Sequence, residues 1–270
     1  MKIPLLPPGR RYSFLLLAGL LMSLASCQDH GVPTQPQHGL RVVQFQLSAG
    51  RNLVFDDFFY DAQKRLARHV SFNPVTGRVL DTRLFYYDGN NRLVRIESLD
   101  ENQIADERTL ITYNTAGLPQ TVAFYSLTAG SQTANLNSTH EYSYSSTGQM
   151  TGYTSRSASG DQRTEYQYTY TGKNITKITA TEYRAGQSTP VSTLETVYTF
   201  DDKYNPYKTL FGNNLTAPYL QINENNILQI SQNNSTIERT LTYNSEGLPT
   251  RFFTPNIVAP STMDIKYEPY

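Results

Sequence analysis

Eight times along this chain an aromatic or aliphatic residue is followed at once by Asp, Asn, Ser or Thr, and an apolar residue resumes five to seven positions on. The instances are Tyr60-Asp61 to Leu66, Tyr87-Asp88 to Leu93, Tyr113-Asn114 to Leu118, Tyr144-Ser145 to Met150, Tyr170-Thr171 to Ile175, Phe200-Asp201 to Tyr207, Ile222-Asn223 to Ile227 and Tyr243-Asn244 to Leu248, with starts 21 to 31 residues apart. Asp, Asn, Ser and Thr can bond the backbone two residues on and so begin a turn. The fourth position after the aromatic is Asn91, Gly117, Gly148, Asn174, Asn226 and Gly247 in six of the eight units, and Lys64 and Tyr204 in the other two. Gly and Asn tolerate the left-handed backbone that closes such a turn. Each unit therefore ends one strand, reverses the chain and starts another.

The flanks carry the period of two that strands require. Glu165 to Tyr170 alternates strictly, Ile237 to Tyr243 does so with Arg239 among the inward positions, and Leu118, Gln120, Val122 and Phe124 are expected on one face. Polar connections separate the units, among them Asn73 to Gly77, Asp100 to Glu107, Ser157 to Arg163 and Arg184 to Ser192. No segment sustains a helical period. The pattern predicts an all-β fold: an antiparallel up-and-down meander of about 16 strands, built from β-hairpin repeats. Twist accumulates over that many strands, so the sheet is expected to be curved and twisted.

Tyr60-Asp61-Ala62-Gln63-Lys64-Arg65-Leu66 and Tyr87-Asp88-Gly89-Asn90-Asn91-Arg92-Leu93 resemble the Tyr-Asp-x-x-Gly-Arg-Leu core of the YD-repeat, or RHS-like, family. Both keep Arg-Leu and lack the Gly, whereas the Tyr113 and Tyr243 units keep Gly-Leu and replace Asp by Asn. The likeness extends over roughly residues 55–250 as a degenerate series. Large members of that family coil into hollow shells around a cargo; eight units are expected to be too few for that. Short lipoproteins of Bacteroidetes-type bacteria look similar.

The N-terminal segment has its own signature. Lys2, Arg10 and Arg11 precede a mostly apolar run from Tyr12 to Leu24, too short to span a bilayer but suited to a signal peptide. Leu24-Ala25-Ser26-Cys27 resembles the lipobox of bacterial lipoproteins, which implies cleavage before Cys27 and lipid attachment to its thiol. Two or more acyl chains anchor a protein stably. Residues 1–26 are thus expected to be a leader, 27–39 a flexible tether rich in Pro and Gly, and 40–270 the β domain. Gln28 after the cysteine, where an inner-membrane retention signal has Asp, favours the outer membrane as the address. Cys27 is the only cysteine, which rules out an internal disulfide.

Lys and Arg total 23 and Asp and Glu total 23, so no field of one sign points to nucleic acid. His69 and His140, each on a strand, are expected to be structural, and no spacing suits a metal or a phosphate. Asp56-Asp57, Asp100-Glu101 and Asp201-Asp202 are poor catalytic pairs, because neighbours on a strand point to opposite faces. There are 20 Tyr and no Trp. Tyr142, Tyr144, Tyr166, Tyr168 and Tyr170 form a candidate ligand face, with a sheet core as the competing reading. The expectation is a monomeric, non-catalytic binding, adhesion or envelope-structural module, without cofactor or metal, held to a membrane by its N-terminal lipid and open to a glycan or protein ligand. The alternative is a polysaccharide-processing enzyme that uses dispersed carboxylates. A membrane-spanning barrel is disfavoured by charges on both faces, as in Arg92 to Glu97.

Overall fold

The computed structural model describes residues 39–128, 133–210, 222–255 and 260–270. The expected leader, Cys27 and all of the tether but Gly39 lie outside them. Seventeen strand segments follow one another: β1 (Leu40–Ala49), β2 (Asn52–Tyr60), β3 (Leu66–Phe72), β4 (Val79–Tyr87), β5 (Leu93–Leu99), β6 (Ala105–Tyr113), β7 (Pro119–Leu127), β8 (Ala134–Tyr144), β9 (Met150–Ser157), β10 (Gln162–Thr171), β11 (Asn174–Arg184), β12 (Ser192–Tyr204), β13 (Asn225–Gln232), β14 (Ser235–Glu238), β15 (Thr240–Tyr243), β16 (Pro249–Thr254) and β17 (Ser261–Pro269). A single helical turn, α1 (Tyr207–Leu210), lies between β12 and β13.

Each strand pairs antiparallel with the next from β1 to β14, and again from β15 to β17. β14 and β15 are two halves of one bent strand, joined through Arg239, whose N–H donates to the Leu228 carbonyl at 2.7 Å. The expected 16 strands are therefore present. β17 then returns to β1, from Leu40 opposite Pro269 to Ala49 opposite Ser261. The meander is all-β as expected, and it closes into a barrel. Closure leaves no row of unpaired amides for another chain to extend.

One end of this barrel carries the repeat turns, and their geometry repeats. Asp61 Oδ1 accepts the N–H groups of Gln63 and Arg65, both at 2.9 Å, and Asp88 Oδ1 does the same for Asn90 and Arg92. Asn114, Ser145 and Asn244 occupy the same place in their turns. The closing residues Asn91, Gly117, Gly148 and Gly247 have φ between 62° and 82°, and Lys64 takes φ 65° although it lacks the usual chemistry. The fifth unit differs from expectation: its left-handed residue is Gly172, in a tight Gly-Lys turn, and Asn174 instead exchanges hydrogen bonds with Asn225.

Two further features recur at this end. The ladder slips by one residue just before each strand-ending tyrosine, at Tyr60, Tyr87, Tyr113, Tyr144, Tyr170 and Tyr243. Such a bulge re-aims the side chains after it. It also corrects the face expected for β7: Pro119, Val122 and Phe124 point inward, while Gln120 is the extra residue and is exposed. The tyrosine hydroxyls then reach back one repeat. Tyr60 donates to the Val42 carbonyl, Tyr87 to Leu66, Tyr113 to Leu93, Tyr144 to Pro119, Tyr170 to Met150 and Tyr267 to Pro249, at 2.6–2.8 Å.

The sixth and seventh units turn out to be one. Asp201 Oδ1 accepts the N–H of Lys203, as expected for a turn, but its second donor is Asn226, 25 positions away where Asp61 and Arg65 are 4 apart. Ile227 follows in the place of Leu66, opposite Phe200. The chain between Lys203 and Asn226 is thus an insertion into a repeat turn. Buried Asn205 and Asn223 hold its ends: Asn205 Nδ2 donates to the Asn223 carbonyl at 3.1 Å, and Asn223 Oδ1 accepts the Ile175 N–H at 2.6 Å.

The insertion carries α1 into the barrel. A round ring of sixteen strands would leave an aqueous lumen. Here Tyr207 lies against Phe45 and Phe252, with ring centroids at 5.3 and 6.3 Å, and Leu210 is buried beside them. The inner wall at this end is apolar and covered: Val42, Leu66, Leu93, Ile175, Ile227 and Pro249 are all buried. Buried aliphatic side chains of this size contribute about 1.5–3 kcal/mol each.

Two predictions follow from these turns. Tyr87→Phe keeps the ring but loses its bond to Leu66, and should lower unfolding stability in urea by about 1 kcal/mol, whereas Tyr86→Phe, on the outer wall, should cost less. Asp88 is held below the usual carboxylate range, first by the Arg92 N–H and then by the Arg92 side chain. A depressed folded value stabilises above the unfolded value and is lost as the pH falls through it. Asp88→Asn, which keeps the acceptor as Asn114 does, should therefore fold and show a shallower acid limb in thermal melts below about pH 4.

Candidate functional site

At the other end the barrel is open to solvent. The inner wall there includes Leu47, 40% exposed, and Ile237, 43% exposed, each in register with a residue of the core wall. Alternation from the buried residues places polar side chains inside. The row Phe58, His69, Arg83, Ser98, Glu107, Ser126 crosses six strands from the covered floor to the exposed rim. A second inward row runs Asp56, Ser71, Asp81. On the far side lie Ser155, Thr164 and Glu182, in register with one another. This mouth, floored by aromatic rings and walled by hydroxyls and charges, is the candidate site.

Several of its ionisable groups are engaged by neighbours. His69 is stacked on Phe58 at 5.1 Å and its Nε2 lies 3.0 Å from Asp56 Oδ1. Arg83 Nε lies 2.9 Å from Asp81 Oδ2, and Glu182 accepts from Ser192 Oγ at 3.2 Å. Tyr207 rises from the floor between these walls, its hydroxyl on Met263 Sδ at 3.2 Å and within the field of Asp56 and Arg239. Burial holds its ionisation well above the ordinary phenol value. Among the described residues no cluster of three His, Cys, Asp or Glu could hold a metal.

The five candidate tyrosines share the inner face, but most belong to the core. Tyr144 and Tyr170 give their hydroxyls to the carbonyls described above. Tyr142 and Tyr168 are deeply covered, and burial raises both far above the usual phenol range; Tyr170 is pushed up to about 12. Tyr166 is the one nearest the mouth. Its ring is stacked on Tyr153 at 4.3 Å and 10°. His140 lies 4.7 Å from both Phe124 and Tyr153. The acidic pairs separate as strand geometry requires: Asp56 points in, while Asp57 points out and accepts from Gln44 at 2.6 Å. Asp100 serves a turn, accepting the Asn102 and Ile104 N–H groups, and Glu101 pairs with Arg78. Asp56, Asp81, Glu107 and Glu182 as inward carboxylates were not legible, because near the mouth both strand faces are polar.

The outer wall is charged at mid-strand. Arg108 and Arg95 flank Glu97 at 3.0 and 3.7 Å, Lys177 pairs with Glu195 at 2.9 Å, and Arg251 binds Asp264. Arg68 lies over Phe59 and Arg95 over Tyr86. A depression of about 450 Å³ lies at Gly152 between β9 and β10, lined by Ser143, Thr151, Thr154, Glu165 and Gln167 together with Tyr153, Tyr166 and Tyr168. A Cβ there would come within 1.9 Å of the Tyr166 carbonyl oxygen, so close approach of β9 and β10 demands glycine and leaves the dent.

No family model matches this chain, and no curated protein is significantly similar to it. Solved structures that share its fold include two porin-like proteins. A porin-like protein from Bacteroides uniformis is 13% identical with a TM-score of 0.53, over 84% of this chain and 96% of that one. A porin-like protein from Bacteroides vulgatus is also 13% identical at 0.53, over 85% and 99%. At that identity the likeness is one of fold.

His140 supplies a pH test of the inner wall. Burial depresses it from 6.5 to about 4. Between those values the unfolded chain binds a proton that the folded chain refuses, so stability falls as the pH drops from 6.5 and levels off below 4. The shift corresponds to roughly 3 kcal/mol. Its ring-proton NMR titration should have a midpoint near 4, and His140→Phe should remove most of the stability loss between pH 7 and 4.5.

Proposed function

We propose that this chain is an exported, lipid-tethered barrel of the cell envelope, acting as a non-catalytic binding module whose ligand enters the mouth. The observation that carries this reading is the direction of the barrel's polarity. A lipid-spanning barrel needs an apolar outer band, and each Arg or Lys at the bilayer midplane costs about 2–4 kcal/mol. This outer wall bears Arg95, Arg108, Lys177 and Arg251 at mid-strand, and the inner wall carries the core. The porin-like proteins of Bacteroides that share the fold are compatible with an envelope address. Plugging by α1 at one end argues for a cup in place of a channel.

The mouth's orientation supports binding from the solvent side. Gly39 and Tyr270 meet at the tyrosine end, where the Tyr270 N–H donates to the Gly39 carbonyl at 3.0 Å. A tether running back from Gly39 to a lipidated Cys27 puts the mouth away from the membrane. A glycosidase needs two carboxylates turned to the substrate. Asp56 is engaged by His69 at 3.0 Å and Asp81 by Arg83 at 2.9 Å, so both already have side-chain partners.

The reading is tested by Cys27→Ser expressed in an outer-membrane host. The variant should lose incorporation of labelled palmitate and move from the membrane to the soluble fraction without detergent, still folded. Retention in the membrane with heat-modified gel mobility would establish a spanning barrel instead.

A further inference from the structure

Within the mouth, the wall around Tyr166 differs from the rest of the inner face. Most inward tyrosines of the barrel fill the core or lend their hydroxyl to a backbone carbonyl, and Tyr166 sits at the edge of the cluster formed by Ile175, Ile178, Tyr198 and Ile227. The Tyr166 ring is half-buried, and lies parallel to Tyr153. Tyr153 in turn is fixed by Tyr142 at 5.5 Å and His140 at 4.7 Å. The result is a flat aromatic shelf whose supporting ring is packed by two further rings.

The neighbours of the shelf are small or polar. On β11 the residue in register with Tyr166 is Ala180, which pairs onward with Leu194 of β12. At this register only a methyl group stands beside the ring, which on its floor side packs against the cluster of Ile175, Ile178, Tyr198 and Ile227. One step towards the rim, Thr164 is flanked by Ser155 on one side and Glu182 on the other. A ring face, a small neighbour and a fringe of hydroxyls with one carboxylate match the two faces of a pyranose. Its C–H face stacks on the aromatic quadrupole, and its vicinal hydroxyls donate to a carboxylate or exchange bonds with Ser and Thr. Few convergent polar groups around an apolar surface are what a small-molecule site requires.

Charge narrows the class. By alternation the inward charged groups of the mouth comprise the carboxylates of Asp56, Asp81, Glu107 and Glu182 and the guanidiniums of Arg83, Arg184 and Arg239. The excess is negative and disfavours phosphorylated, sulfated or uronic ligands. A peptide anchored by a large apolar side chain would need a deep desolvated pocket, and the shelf is shallow. We infer that the Tyr166 wall of the mouth is a binding site for a neutral oligosaccharide, stacked on Tyr166 and held through Thr164 and Glu182. This deepens the reading of the mouth as a binding site and rests on it.

The test titrates the full mature lipoprotein, in a polyoxyethylene detergent free of sugar headgroups, with cellohexaose, xylohexaose, mannohexaose, maltohexaose and laminarihexaose by calorimetry. At least one should bind saturably. Tyr166→Ala should weaken it about tenfold or more, and Tyr166→Phe should stay within about threefold, since stacking does not need the hydroxyl. Ala180→Phe fills the space beside the ring without removing a core contact. It should block binding by about tenfold or more while the melting midpoint holds. Tyr183→Ala on the outer wall should change nothing. The assignment is overturned if none of the five sugars binds at about 10 mM, or if binding survives both Tyr166→Ala and Ala180→Phe. A negative titration together with a soluble Cys27→Ser barrel would reject the saccharide and leave the tethered module standing; a membrane-retained Cys27→Ser would reject the module itself.

Discussion

In this barrel the tyrosines that end strands, Tyr243 with its bond to Asp201 excepted, donate a hydrogen bond to a carbonyl at the start of the preceding repeat, and closure of the sheet is organised around that reach-back bond. A backbone carbonyl beside a bulge has lost its regular ladder partner, and leaving it unpaired while buried would cost about 1–3 kcal/mol. The phenol satisfies it and at the same time lays an aromatic ring over the apolar residue that opens the earlier strand. Arginines complete the joint. Arg65 is fixed by Asp61 and lies over the Tyr87 ring at 4.3 Å; Arg92 is fixed by Asp88 and lies over Tyr113 at 4.6 Å. Every residue of the Tyr-Asp…Arg-Leu pattern therefore contributes: Tyr is ring and staple, Asp accepts in the turn, Arg covers the next ring, and Leu enters the core. At the seam Arg41 covers Tyr60 at 4.4 Å while pairing with Glu268, and Tyr267 supplies the last staple.

Strands and turns were legible because their signals are local. A period of two and an Asx acceptor act within five residues, and Lys64 shows the acceptor prevailing over a poor closing residue. What was not legible depends on partners far along the chain. Pairing of β1 with β17 has no local mark, since a meander of this length can stay open or close. The bulge is hidden because Leu118 and Leu248, which look like strand openers, stand where Arg65 and Arg92 stand; Pro119 and Pro249 are the openers. Asp201 has the local signature of a short turn, yet its second donor is Asn226, so one unit looks like two.

The tyrosine face was ambiguous for a physical reason. Tyrosine suits both a wet sheet face and a core that can satisfy one hydroxyl, and alternation in β10 says that Tyr166, Tyr168 and Tyr170 share a face without saying which wall it belongs to. Only the closed sheet decides it. Once closure is known, position along the barrel sorts the three: Tyr170 staples, Tyr168 fills, and Tyr166 borders solvent.

The inserted turn links architecture to use. A repeat array of uniform short turns would produce a sixteen-strand tube with water down its axis, and few of its inner residues could be dry. Lengthening one turn at the tyrosine end brings Tyr207 and Leu210 inward, and they meet Phe45, Phe252 and Met263 on the neighbouring walls. The floor is thereby covered at the end where Gly39 and Tyr270 meet, while the mouth keeps the polar residues that a sealed barrel could not accommodate. Low overall apolar content, 38%, fits such a division, since only the floor half of the inner wall has to be desolvated. Dryness and rigidity should therefore grade along the axis, from staples and plug to an open rim. That leaves the Tyr166 shelf at the level where the support below is fixed and the space above is free.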